Sequence, residues 1–150
     1  MKDVSYKERL VKHCLEQQQL ALKNARNAMD EAQEEANAYG QPKDRYDGFR
    51  NQQLRKRDLF GKQLEQALHN IDMINKITLD KPLDHVDFGS VVITDSTTFL
   101  IAIGLGFISF EGEEVAVISM LVPLFHEMKN KRVGDSFSFK DQTYTILDII

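Results

Sequence analysis

The feature that most constrains this chain is a heptad pattern on both sides of a short turn-forming stretch, residues 40–47. Apolar and small residues are spaced alternately three and four apart, as in the seam of a coiled coil. The first series is Val11, Leu15, Gln18, Leu22, Ala25, Met29, Ala32, Ala36 and Tyr39, and the second is Tyr46, Arg50, Gln53, Arg57, Phe60, Leu64, Ala67, Ile71 and Ile74. Gly40 and Pro42 interrupt the helix between them. The sequence therefore predicts a long antiparallel helical hairpin with its tip near residues 40–47.

Local signals place the boundaries of this hairpin. Ser5 and Glu8 have the spacing of a capping box, which predicts a first helix from about Ser5 to Tyr39. Asp44 is a good N-cap for a second helix that ends near Ile77. Residues 78–84 are typical of a linker. We therefore expect a hairpin domain over residues 1–77, a linker over 78–84 and a second domain over 85–150.

The second domain changes from helical to strand periodicity. β-branched and aromatic runs predict strands over residues 88–95, 98–104, 107–110, 115–119, 136–139 and 143–149. The turns are expected at residues 111–113 and 140–142, and a short helix over residues 124–130 follows Pro123. The predicted fold class is α+β: a long coiled-coil hairpin followed by a small antiparallel β-sheet domain with one short helix.

Composition limits the setting and the partners. The net charge is −4, and the second half is more acidic than the first, which argues against nonspecific binding to duplex nucleic acid. Cys14 is the only cysteine, so an internal disulfide is excluded and a cytoplasmic setting fits. The longest apolar run, residues 99–110, is too short to span a bilayer, and the start of the chain does not resemble a signal peptide. We expect a cytoplasmic protein without a membrane partner.

Four segments of the chain resemble the Gre transcript-cleavage factors of bacterial RNA polymerase. Residues 88–92 (FGSVV) and 117–119 (VIS) are similar to strands of that family, and residues 143–149 are similar to its "YxIxxI" ending. Residues 122–135 (VPLFHEMKNKRVGD) resemble its "SPxxxALxGKxVGD" segment at the same spacing, with Val122 in place of the usual Ser. With the hairpin, the resemblance covers nearly the whole chain. It implies an FKBP-like second domain and the family's general attributes of transcription regulation and DNA binding.

The resemblance also implies a mechanism at the tip of the hairpin. In the family the hairpin enters the secondary channel of the polymerase, and acidic tip residues help to hold the second Mg²⁺ of the polymerase active site. Asp44 and Asp47 align with the acidic positions of the family's "GDLSEN" tip. Magnesium prefers oxygen ligands and keeps most of its waters, so one or two carboxylates suffice. The chain would have no cofactor and no enzymatic activity of its own, and it would meet nascent RNA only through the polymerase.

Other interpretations of the tip stay open. Asp44 and Asp47 also suit the first turn of the second helix without any metal. Arg45 and Tyr46 replace the family's Leu-Ser, which is compatible with a regulator that occupies the channel without stimulating cleavage. A generic coiled-coil interaction module is a further alternative. The acidic residues of the first arm and the basic residues of the second, Arg57 among them, predict surface pairing across the arms.

Two sets of residues are predicted to bind the partner. Arg45, Tyr46, Arg50 and Arg57, together with Arg55, are candidates for contacts with RNA or the channel wall. Pro123, Leu124 and Phe125 are expected to dock the second domain. A peptidyl-prolyl isomerase would need a deep aromatic pocket, whereas the aromatic residues here are spaced like the core of strands. The four histidines show no zinc-ligand spacing.

Overall fold

Two long helices open the chain. The computed structural model describes residues 2–39 and 48–150, with the backbone alone described at Tyr39. Helix α1 spans Val4–Tyr39 and helix α2 spans Gly48–Asn75. The predicted tip, including Asp44, Arg45, Tyr46 and Asp47, lies outside the described residues. No helix in the described ranges combines the length and apolarity needed to cross a membrane.

The N-terminal cap of α1 differs from the prediction. The backbone N–H of Tyr6 donates a hydrogen bond to Oδ1 of Asp3 at 3.1 Å, so Asp3 is the N-cap. Ser5 lies inside the helix, where its hydroxyl oxygen accepts a hydrogen bond from Arg9 at 2.9 Å. Both residue types are good caps, but Asp3 adds a negative charge beside the positive end of the helix.

The chain divides into two compact units. One consists of Leu15–Asp72, and the other combines Met1–Cys14 with Met73–Ile150. The second unit therefore contains the first turns of α1 and the end of α2 as well as the whole sheet.

Within Leu15–Asp72, the two helices pack along the predicted heptad seam. The buried positions are Gln18, Ala25, Ala32 and Ala36 on α1 and Gln53, Ala67 and Asn70 on α2. All except Asn70 belong to the predicted series. The amide nitrogen of Asn70 donates to Oε1 of Gln18 at 3.0 Å, and the amide oxygen of Asn70 accepts from Gln66 at 2.9 Å. A buried amide pair satisfied in this way is compatible with a coiled-coil seam.

The second unit is built on a six-stranded sheet. Its strands are β1 (Val91–Thr94), β2 (Thr98–Ile101), β3 (Gly106–Phe110), β4 (Glu113–Ile118), β5 (Ser136–Phe139) and β6 (Gln142–Ile149), and helix α3 (Pro123–Met128) follows β4. The order across the sheet is β3-β4-β2-β1-β6-β5. The α+β class and the hairpin-then-sheet arrangement are thus confirmed.

One pair of strands departs from the expected antiparallel sheet. β2 and β4 are parallel, with Leu100 opposite Val117, so the sheet is mixed. Strand β3 occupies the edge and returns through a tight turn, which places β4 beside β2 and in the same direction. Alternation of apolar residues predicts strands and their faces but carries no information about their relative direction.

Both faces of the sheet are covered. The core beneath α3 contains Val86, Val92, Phe99, Ile101, Ala116, Phe125, Met128, Phe137, Ile146 and Ile149. On the opposite face, Val91, Leu100, Val115 and Val117 are fully buried. Phe110 lies on that second face, and its ring is 5.7 Å from that of Tyr6 and 5.1 Å from that of His13. The first turns of α1 therefore cover the face opposite α3.

Candidate functional site

An apolar cavity of about 310 Å³ opens between the sheet and α3. Side chains from β2, β3, β4, β6, α3 and the end of β5 converge on it. Its main apolar lining residues are Phe99, Phe107, Ile118, Leu124, Phe139 and Tyr144. A concave, aromatic-lined space of this size is suited to an apolar side chain or a small apolar ligand.

Packed rings fix the inner wall of the cavity. The rings of Phe137 and Tyr144 stack with their centroids 4.9 Å apart, and Phe99 meets Tyr144 edge to face at 5.7 Å. Such aromatic pairs add about 0.5–1.5 kcal/mol beyond their buried area. Phe99 and Phe137 also belong to the core, so this wall is held rigidly by the fold.

The rim of the cavity is exposed and apolar. The side chain of Phe107, which lines the cavity, is 68% exposed. On the far side, the ammonium group of Lys140 lies 5.5 Å from the centroid of the Phe139 ring. An exposed aromatic side chain at the mouth of an apolar cavity is compatible with an interaction site.

Phe107 is one of the aromatic residues whose spacing predicts a strand core, but its side chain is exposed. Phe107 follows the strand alternation, but its strand is at the edge of the sheet, and its face opens onto the cavity. The signal for this position would have been the strand order, which periodicity alone does not provide. Among the other strand aromatics, Phe137 belongs to the core, Phe139 and Tyr144 line the cavity, and Phe110 packs on the opposite face of the sheet.

The three predicted docking residues have different environments. Leu124 lines the cavity and is half-buried. Pro123 is exposed at the first turn of α3, while Phe125 is only 3% exposed and belongs to the core. Leu124 can therefore touch a partner directly, and Phe125 acts by supporting α3.

Among the predicted basic residues of the hairpin, Arg57 contacts other side chains of the same chain. Nη1 of Arg57 donates to Oε1 of Gln33 on the other arm at 2.7 Å, and its Nη2 pairs with Asp58 at 2.8 Å. The cross-arm contact of Arg57 is thus to an amide and not to a carboxylate. Arg50 is half-buried and Arg55 is exposed. Across residues 2–39 and 48–150, no group of three or more potential metal ligands comes together.

The environment of Cys14, the only cysteine in the sequence, makes its thiol unreactive. Cys14 is 1% exposed, and burial raises its pKa to about 11. The thiolate is the nucleophilic form, so a raised pKa suppresses reactivity near neutral pH. Cys14 is a packing residue in the first turns of α1 and not part of a reactive site.

Comparison with known proteins finds a structural likeness only. No family model and no curated protein matches this chain. The crystal structure of GreA factor homolog 1 (Gfh1) of Thermus thermophilus is 16% identical with a TM-score of 0.36, covering 91% of this chain and 94% of that one. A second structure, described as the transcription factor Gfh1, is 15% identical with a TM-score of 0.37, covering 91% of this chain and 92% of that one.

Proposed function

We propose that this protein is a Gre-type transcription elongation factor that binds bacterial RNA polymerase. In this proposal the cavity beside α3 docks on the polymerase, and the hairpin tip enters the secondary channel. The observation that carries the proposal is the apolar cavity beside Leu124. Leu124 lies within residues 122–135, the segment that resembles the family. The long helical hairpin is the second element that the family resemblance requires.

The tip would act on the chemistry of the polymerase rather than perform its own. Asp44 and Asp47 would offer carboxylate oxygens to the second Mg²⁺ of the polymerase active site, and that ion would activate water for cleavage of backtracked RNA. Arg45 and Tyr46 would lie between these carboxylates and could contact phosphate or the channel wall. The alternative within the same class is a factor that occupies the channel and regulates the polymerase without cleavage.

Docking can be tested with one charge placed on the cavity rim. We expect Phe107→Asp to weaken binding to core RNA polymerase by about tenfold or more, because truncation or polar replacement of an apolar anchor commonly costs about 2 kcal/mol. Leu147→Asp is the matched control, since Leu147 is 56% exposed and does not line the cavity. Equal binding by the wild type and Phe107→Asp would exclude the cavity as the docking site.

The role of the tip requires a separate experiment. Transcript cleavage by backtracked polymerase in Mg²⁺ should be compared between the wild type and the Asp44→Asn, Asp47→Asn double variant. Cleavage stimulated by the wild type and lost in the variant is the expected result for a cleavage factor. Polymerase binding without any stimulated cleavage would assign the protein to the channel-occupying regulators.

The aromatic cavity also favours a second candidate, a peptidyl-prolyl isomerase. Proline rings bind well against aromatic side chains, and four aromatic residues line this space. The full-length chain should then accelerate isomerisation of a proline-containing peptide, and Phe107→Asp should remove the effect. A rate equal to that of the peptide alone would exclude this activity.

A further inference from the structure

Strand β3 connects the cavity to the opposite face of the sheet. Phe107 pairs with Ala116, and both line the cavity. Phe110 pairs with Glu113 and points to the other face, where it is 9% exposed against Tyr6 and His13 of α1. A shift of β3 relative to α1 would therefore also move the cavity wall that Phe107 forms, because neighbouring residues of one strand move together.

Two ion pairs fix the turn after β3 to the start of α1. Arg9 contacts both carboxylate oxygens of Glu111, with Nε at 2.7 Å and Nη2 at 3.4 Å. On the other side of the turn, Nζ of Lys2 lies 3.0 Å from Oε2 of Glu113. Glu111 and Glu113 flank Gly112, so the two pairs hold both ends of the β3–β4 turn.

The same two cations enclose the ring of Tyr6. The guanidinium carbon of Arg9 lies 5.9 Å from the centroid of that ring, and Nζ of Lys2 lies 5.7 Å from it. Tyr6 is 4% exposed, and burial, with the nearby carboxylates of Glu113 and Glu111, raises its pKa to about 12. The hydrogen bond from Arg9 lowers the pKa of Glu111 below its ordinary value. Salt screens exposed charges, so ionic strength is the variable that weakens these ion pairs.

We propose that the Arg9–Glu111 and Lys2–Glu113 ion pairs position the Phe107 wall of the docking cavity. Arg9 and Lys2 are then positioning residues for a site that they do not touch. This inference rests on the proposed use of the cavity as a binding site. Through these ion pairs, the first turns of α1 would affect binding in the cavity on the opposite face of the sheet.

The expected effect is moderate. Exposed ion pairs contribute little individually, so the loss of one pair should weaken binding in the cavity by about two- to fivefold. Increasing salt should reduce the affinity of the wild type and leave a variant that lacks both pairs nearly unaffected. A purely structural role would instead lower stability without a salt-dependent change in affinity.

The experiment uses the full-length chain and two readouts. The first is the backbone amide resonances of Gly106 and Phe107, and the second is the dissociation constant of N-phenyl-1-naphthylamine, an uncharged apolar probe of the cavity. Arg9→Glu and Glu111→Arg should each shift these resonances and weaken probe binding, while the double variant with both exchanges should restore them. Asp84→Asn is the matched control, because Asp84 and Arg132 form an exposed ion pair at 3.1 Å that does not involve β3.

The outcomes separate this proposal from the proposed function. Unchanged resonances and probe affinity in Arg9→Glu would overturn the positioning role, as would equal changes in Asp84→Asn. Failure of the double exchange to restore the wild-type values would also overturn it. Because neither readout requires RNA polymerase, failure of the wild type to bind polymerase would reject the proposed function and leave the positioning result intact.

Discussion

Lys7 is the most unusual single residue in the described chain. Its side chain is fully buried, and its ammonium group donates a hydrogen bond to the backbone oxygen of Ile150 at 3.4 Å. Burial lowers its pKa below the ordinary 10.5, and the carboxylate of Asp80 offsets part of that shift. The heptad pattern could not predict this burial, because the carbonyl that Lys7 contacts belongs to Ile150, far away in the sequence.

Replacing Lys7 with Met should stabilise the protein. An apolar side chain of similar length removes the cost of burying a charge, so we expect the free energy of unfolding at pH 7 to rise by about 1–3 kcal/mol. The native state penalises protonated Lys7, so the gain should shrink as pH rises towards 10.5, where the amine becomes neutral in the unfolded chain too. Urea unfolding at pH 7 and pH 10 measures both effects.

Lys12→Met, on the exposed face of α1, is the control and should change stability by less than about 0.5 kcal/mol. A less stable Lys7→Met protein would mean that the hydrogen bond to Ile150 and the attraction of Asp80 outweigh desolvation. Any gain that stays constant between pH 7 and pH 10 would contradict the assignment to charge burial.

At the scale of elements, the helices were more predictable than the sheet. The three-four spacing that placed Gln18, Ala25 and Ala67 in the seam follows from the helix period, which is local information. The neighbours of β2 in the sheet depend on the path of the chain between distant strands. The parallel pairing of β2 with β4 therefore could not be predicted from the sequence pattern. For the same reason the exposure of Phe107 on an edge strand could not be predicted from periodicity.

Gly61 and Gly89 provide a matched test of how elements tolerate a side chain. Gly61 lies inside α2, and an added Cβ would meet Sδ of Met29 at 3.7 Å, an ordinary contact distance. Gly61→Ala should therefore raise the free energy of unfolding by about 0.5–1 kcal/mol through its better helix propensity. Gly89 has a φ of +83°, and its Cβ would lie 3.3 Å from the side chain of Ile77.

Gly89→Ala should accordingly lower the stability by about 1 kcal/mol or more, because an L side chain is strained at positive φ. Thermal and urea unfolding of the two variants would be compared with the wild type. If Gly61→Ala also destabilised the protein, Met29 would have no room to accept the added methyl group.

At the scale of the whole molecule, the sheet unit is discontinuous in sequence. It includes Met1–Cys14 in addition to Met73–Ile150, and within those first residues Tyr6, Leu10 and Cys14 are buried. Residues 78–150 alone would leave the face that Phe110 shares with Tyr6 open to water. We expect that fragment to lack a cooperative unfolding transition.

A fragment that joins residues 2–14 to residues 73–150 through a Gly-Ser linker should recover cooperative unfolding, because it restores the covering helix turns. Near-ultraviolet circular dichroism and urea titration would compare the two fragments. Cooperative unfolding of residues 78–150 at the same midpoint as the joined fragment would show that the first turns of α1 contribute nothing to the sheet unit.

The pairing of β1 with β6 has a consequence for how the chain folds during synthesis. The backbone N–H and C=O of Val91 both bond to Ile150, at 3.0 and 2.9 Å, and β1 lies in the centre of the sheet. Leu15–Asp72 can assemble from contacts within its own length, whereas the sheet cannot close until residues 142–150 have left the ribosome. During synthesis, Leu15–Asp72 can therefore fold while the sheet unit still exposes its apolar strands. The nascent chain is most prone to aggregation in this interval.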